Sequence, residues 1–217
     1  MDKILAYNGE LHDICYNLIM DNTVGSLTQL QKSVIIGSLL GDGYVRIIPG
    51  RKEAFLEVNH SIKAKEYVDW KYSVLKELCK SPPQTRKSGE NRTAYRFFTR
   101  QHPEITDLLK KFYLNGKKIV PSDLELNPMI LAVWFMDDGS KSRKFDVYLN
   151  TQQLSLSSQK ILLNLLRKMG LRARLNKDKK YYRIRFFKES VSKLNQIIAP
   201  HIVPSMKYKL SYDPVET

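Results

Sequence analysis

Two stretches of this chain repeat one another. Ser33–Arg46 reads SVIIGSLLGDGYVR, an apolar helical run from Val34 to Leu40 that stops at Gly41-Asp42-Gly43. Leu131–Arg143 reads LAVWFMDDGSKSR, a second apolar run that also stops at Asp-Gly. The segments after the two runs match as well: a strand, a helix with apolar residues at 3–4 spacing, a strand bearing Arg-Phe-Phe or Arg-Ile-Arg-Phe-Phe, another helix, and a lysine-bearing loop beside a proline. Asp42 and Asp138 stand 96 positions apart, Asn59 and Asn150 91, Arg96 and Arg185 89, Lys118 and Lys209 91. Four landmarks at so nearly constant an offset argue for duplication of one αββαββα-like unit. The expected fold class is therefore α+β, built as two pseudo-symmetric halves.

Local signals place the ends of the repeated helices. Thr28 and Gln31 are spaced as a capping box before the first run. Asn127 is the expected N-cap of the second, with Pro128 at its first helical position. A linker is expected over Val120–Leu126, which divides the chain into an N-terminal half, 1–124, and a C-terminal half, 125–217. Gly37 and Gly41 lie four apart, on one helix face, and permit close approach of another backbone. Their counterparts are Val133 and Asp137, so the two faces are not identical.

The chain's 36 Lys and Arg against 22 Asp and Glu leave a net charge of +14. Such an excess points to a polyanionic partner. There is no lipidation signal and no apolar run near 18 residues, so nucleic acid is favoured over a membrane. The first residues lack a signal-peptide pattern. The two cysteines, Cys15 and Cys79, suggest neither a disulfide framework nor a zinc site and fit a reducing compartment. The basic residues are concentrated in a predicted hairpin. Arg172, Arg174 and Asn176 alternate with Leu171, Ala173 and Leu175, and Arg183 and Arg185 alternate with Tyr182, Ile184 and Phe186. One face of that hairpin is apolar, the other guanidinium-rich, with Asn176–Lys180 expected as the turn. A ribbon of this kind suits phosphates and the DNA major groove. Trp70, Trp134, Phe97 and Phe186 are expected in the core.

A carboxylate at a helix C-terminus faces the negative end of the helix dipole, an arrangement disfavoured by up to about 1 kcal/mol. A divalent cation between two such ends reverses this, because carboxylates and helix-end carbonyls are hard oxygen ligands of the kind Mg²⁺ prefers. An oxygen-ligated cation touching a phosphate is what metal-assisted phosphodiester hydrolysis requires.

IIGSLLGDG (Ile35–Gly43) and LAVWFMDDG (Leu131–Gly139) resemble the two motifs of single-chain LAGLIDADG homing endonucleases. The resemblance extends to YLNTQ (Tyr148–Gln152), NGKKIVPSDL (Asn115–Leu124) and MKYKL (Met206–Leu210). It implies two αββαββα halves, motif helices packed at their interface, and antiparallel sheets forming a DNA-binding saddle. It also implies Asp42 and Asp138 as metal-binding catalytic acids, with the carbonyls of Gly41 and Asp137 as further ligands. Lys118 and Lys209 would stand near the scissile phosphates. Arg46, Arg96, Gln152, Arg172, Arg174, Arg183 and Arg185 would contact DNA. His60 is expected to position water or contact a base, since it lacks partners in the sequence for metal ligation. The implied cofactor is Mg²⁺, with Mn²⁺ substituting and Ca²⁺ binding without turnover.

The expected activity is cleavage of one phosphodiester on each strand of a long asymmetric duplex by a monomer, and the resemblance implies four-base 3′ overhangs. An intron-encoded, free-standing enzyme of an organelle matrix or a prokaryotic cytoplasm is expected, because the chain ends show no protein-splicing signature. The alternatives are an RNA maturase that assists intron splicing and a non-catalytic DNA-binding protein on the same fold. Splicing assays discriminate the first, and loss of an acid would mark the second.

Overall fold

The computed structural model describes residues 25–87, 92–143 and 146–211. Cys15 and the chain's first residues lie outside them. Two four-stranded antiparallel sheets dominate. The first joins β1 (Tyr44–Ile47), β2 (Ala54–Ser61), β3 (Gln84–Lys87) and β4 (Thr93–Phe98) in the order β1-β2-β4-β3. A two-residue hairpin comes next, β5 (Tyr113–Leu114) with β6 (Lys117–Lys118). The second sheet joins β7 (Gly139–Lys141), β8 (Val147–Leu149), β9 (Ala173–Asp178) and β10 (Tyr181–Phe186) in the order β7-β8-β10-β9. The second order is the first, element for element. Around the sheets run α1 (Gln29–Leu40), α2 (Lys65–Leu75), α3 (Pro103–Phe112), α4 (Pro128–Asp138), α5 (Leu156–Lys168) and α6 (Lys188–Ile198). The architecture is thus the expected α+β fold of two αββαββα halves.

The motif helices α1 and α4 pack directly on each other. Thr28 and Gln31 form the capping box on α1, and Asn127 accepts from the Ile130 amide at the start of α4. Asn127 also donates to Ser33 Oγ at 2.9 Å, tying the two helix starts together. Every residue of α4 from Ile130 to Met136 is buried, as a core helix requires. A methyl group placed on Gly37 would stand 2.6 Å from Val133 Cβ and 2.8 Å from the Ile130 carbonyl. Gly41 abuts Asp137 in the same way. The counterparts found by counting through the repeat are therefore contact partners.

Trp134, Phe97 and Phe186 are buried, while Trp70 is half-buried and stacks on Tyr67. Cys79 is buried, which pushes its thiol up to about 11. Among the described residues no helix is long and apolar enough to cross a membrane. The basic hairpin departs from expectation at its tip. Tyr181 pairs with Asp178 and Tyr182 with Lys177, so the strands run through most of Asn176–Lys180. The reversal falls to Lys179, with φ +53°, and Lys180. Ladder hydrogen bonds here outweigh the turn preference of the polar run.

Candidate active site

Each motif helix runs into a glycine and an acid, but the second helix continues two residues further in the repeat register. The α1 cap is Gly41, leaving Asp42 just beyond it, whereas Asp138 is the last residue of α4 and Gly139 its cap. The Asp42 side chain is 52% exposed, while Asp138 is 8% exposed. Asp138 Oδ2 is buried and has no hydrogen-bond partner among the described residues. Burial, together with the negative charges of Asp137 and Asp42, pushes the Asp138 carboxyl up to about 8. An orphaned, buried carboxylate oxygen beside two further acids is the condition that a cation relieves.

The repeat-matched lysines meet the helix ends as a pair. Lys118 Nζ donates to the carbonyls of Gly41 (2.9 Å) and Gly43 (3.0 Å). Lys209 Nζ donates to those of Met136 (2.5 Å) and Asp137 (3.1 Å). Each ammonium thus neutralises carbonyls left free at a helix C-terminus. Burial pulls both lysines below their ordinary range. Lys118 reaches its place through the β5–β6 hairpin, whose Asn115-Gly116 turn has φ of +51° and +72°, the left-handed pair that a tight two-residue hairpin demands. The carbonyls of Gly41 and Asp137, expected from sequence as metal ligands, are here the acceptors of these two ammonium groups.

Asp137 has a second role that sequence reasoning missed. Its side chain has no exposure. Oδ1 accepts from Tyr67 (2.8 Å) and Lys71 (2.9 Å), and Oδ2 from Lys71 (3.1 Å) and the Asp42 amide (3.2 Å). Burial disfavours its ionised form, but the Lys71 charge, with His60 and Tyr67, holds the carboxyl below its ordinary value. Desolvation pushes the Tyr67 phenol well above its ordinary value. The only sequence signal was the spacing of Tyr67 and Lys71, four apart on one helix face.

His60 enters the same cluster, from the inward face of β2. Nδ1 lies 3.7 Å from Asp42 Oδ2 and Nε2 3.6 Å from Asp137 Oδ1. The partners that the sequence did not reveal are therefore present. Burial and the Lys71 charge lower its pKa, which favours the neutral ring.

Of the arginines expected to bind DNA, Arg46, Arg96, Arg174, Arg183 and Arg185 alternate along their strands with core-facing residues and so lie on the sheet faces turned away from the helices, while Arg172 just precedes β9. Arg46 on β1 and Arg96 on β4 flank Glu57, at 3.7 and 3.8 Å, and lie over the rings of Phe55 and Phe98. On the second sheet Arg183 lies 3.9 Å over the Tyr148 ring, and Arg185 pairs with Asp146. Arg172 pairs with Glu189 at 2.9 Å and shares the Phe187 ring with Arg174. Gln152 donates to Asp178 at 2.9 Å. Partial pairing and ring packing restrict these side chains, which lowers the entropy lost on meeting phosphate.

The chain matches the model of the LAGLIDADG DNA endonuclease family over residues 32–194, which includes most of α1 and all of α4. It is 32% identical to the cytochrome b mRNA maturase bI2 of Debaryomyces hansenii, covering 82% of this chain and 72% of that protein. It is 30% identical to the Saccharomyces cerevisiae protein of the same name, but spans only 49% of its length. With the probable intron-encoded endonuclease 1 of Wickerhamomyces canadensis it shares 31% identity, over 87% of each chain. Its structure superposes on that of the homing endonuclease I-WcaI bound to its DNA recognition sequence, with a TM-score of 0.81, 26% identity, and coverage of 98% of this chain and 94% of that one. Two glycine-packed helices running into acids, a family model reaching both, and relatives sharing most of its length agree: the chain belongs to the LAGLIDADG DNA endonuclease family.

Proposed function

We propose that this protein is a site-specific DNA endonuclease that hydrolyses one phosphodiester on each strand of a long, asymmetric duplex, with Mg²⁺ as its working ion. The observation that carries the reading is the convergence of Asp42, Asp138, Lys118 and Lys209 where α1 and α4 end side by side. The carboxylates of Asp42 and Asp138 are oxygen donors, and they fit a hard divalent cation. Such an ion, when bound, polarises the phosphate and activates water. The chain's own residues do the rest. Arg46, Arg96, Arg174, Arg183 and Arg185 hold the duplex by its phosphates from the saddle formed by the sheets. Lys118 and Lys209 place positive charge where negative charge grows on the scissile groups. Because both motif helices belong to one chain, a single protomer supplies both centres.

Asp42→Asn and Asp138→Asn test this directly. Each keeps the side-chain size and removes one charge. Cleavage of a selected target should fall at least about a hundredfold. Gel-shift affinity should persist, because it comes from the basic sheet faces. Near-normal cleavage by either variant would remove that acid from the mechanism.

The names of two relatives support a second reading, in which the chain assists RNA splicing as a maturase. Intact acids are compatible with both activities. Splicing of the cognate intron by the Asp42→Asn variant would show that activity apart from cleavage.

A further inference from the structure

We infer that His60 is a metal ligand at the α1 centre, closing with Asp42 a mixed nitrogen–oxygen site that binds divalent transition-metal ions more tightly than the Mg²⁺ it works with. The donor atoms of Asp42, His60 and Asp137 all lie within 4.8 Å of one another. Two atoms each ~2.1 Å from one cation can stand up to ~4.2 Å apart. The 3.7 Å between His60 Nδ1 and Asp42 Oδ2 falls inside that limit. Asp42 is the exposed member and opens the pair to solvent, while the His60 side chain is only 10% exposed.

Asp137 belongs behind this pair rather than in it. Tyr67, Lys71 and the Asp42 amide already use its two oxygens, and the Lys71 ammonium stands beside it. That leaves it as the outer carboxylate of a carboxylate–imidazole–cation arrangement. In such arrangements the ligating imidazole gives its other ring N–H to a carboxylate, which fixes the tautomer. Here Nε2 faces Asp137 Oδ1 at 3.6 Å. A neutral imidazole has one N–H and one lone pair. A ring protonated at Nε2 would leave the Nδ1 lone pair for a cation shared with Asp42.

Among the described residues the α4 centre has no equivalent. Counting through the repeat from Asn59 and Asn150 puts Thr151 opposite His60, and Thr151 is fully buried. The two centres are therefore chemically unequal. An imidazole donor raises affinity for ions such as Co²⁺ far more than for Mg²⁺ or Ca²⁺, which favour oxygen.

This inference rests on the reading of Asp42 as a metal ligand, and the test separates the two. The whole, DNA-free protein is titrated with Co²⁺ by calorimetry, and with Mg²⁺ separately. His60→Ala should weaken Co²⁺ binding at least about tenfold and Mg²⁺ binding by less than about threefold, and Asp42→Asn should weaken both. If His60→Ala leaves Co²⁺ binding unchanged, or weakens both ions equally, while Asp42→Asn still weakens both, His60 is not a ligand and Asp42 stands. If Asp42→Asn changes neither, the reading of Asp42 fails and takes this one with it. Should His60→Ala not fold, ring NMR of the unaltered protein decides. One equivalent of Co²⁺ should shift the His60 ring signals before those of His102 and His201, and unshifted His60 signals would overturn the inference.

Discussion

Lys71 Nζ lies 2.9 Å from Asp137 Oδ1, and neither side chain has any exposure. The pair joins α2 of the first half to the C-terminal end of α4 in the second. A buried ion pair is not by itself stabilising, because desolvation offsets the attraction, but breaking one strands a charge. Lys71→Met should therefore cost about 3–5 kcal/mol, measured by urea unfolding. Adding Asp137→Ala should recover part of that loss, since the stranded carboxylate is gone. An unchanged unfolding midpoint in Lys71→Met would show that the pair holds nothing together.

Gly37→Ala tests the helix contact. The added methyl would stand 2.6 Å from Val133 Cβ and 2.8 Å from the Ile130 carbonyl, both on α4, so the helices must part. Overpacking of this kind costs about 1–3 kcal/mol. The melting temperature should fall by several degrees, and a variant as stable as the parent would mean that α1 and α4 pack less closely than this.

The metal-free protein should lose stability as pH rises from about 4 to about 8. The reason is Asp138, whose folded carboxyl is raised to about 8 from an ordinary 3.8 by burial and neighbouring acids. Below 3.8 it is protonated in both states; above that, the unfolded chain ionises first and is favoured until the folded group titrates. His60, lowered from 6.5, works the opposite way by disfavouring the folded state as pH falls below 6.5. Asp138→Asn isolates the first effect. Its melting temperature in EDTA should exceed the parent's by a margin that grows from pH 5 to pH 8. A constant margin would contradict the raised carboxyl.

Arg183→Ala should weaken DNA binding and make its salt dependence shallower by about one in the log–log slope, if the guanidinium neutralises one phosphate. Arg183→Lys should not fully restore binding, because the 3.9 Å packing on Tyr148 uses the flat guanidinium. Titrations at four salt concentrations measure both. An unchanged slope and affinity would place Arg183 on a face that DNA does not touch.

The parts that sequence alone determined are those encoded within a few residues or carried by the repeat. The Thr28–Gln31 box and the Asn127-Pro128 start are local chemistry, and each is present. Counting offsets paired Gly37 with Val133, Gly41 with Asp137, and Lys118 with Lys209, because a duplicated unit folds twice in the same way. The tertiary structure alone decided what depends on neighbours distant in sequence. Lys71 is 66 positions from Asp137, and nothing near it marks it as buried. His60 looked like a lone histidine because its partners, Asp42 and Asp137, arrive from two different helix ends. The tip at Lys179 was misplaced because pairing across the ladder outweighed local preference. Burial and charge are sums over everything that surrounds a group, so no stretch of sequence could show that Asp137 is tied down while Asp138 keeps a free oxygen.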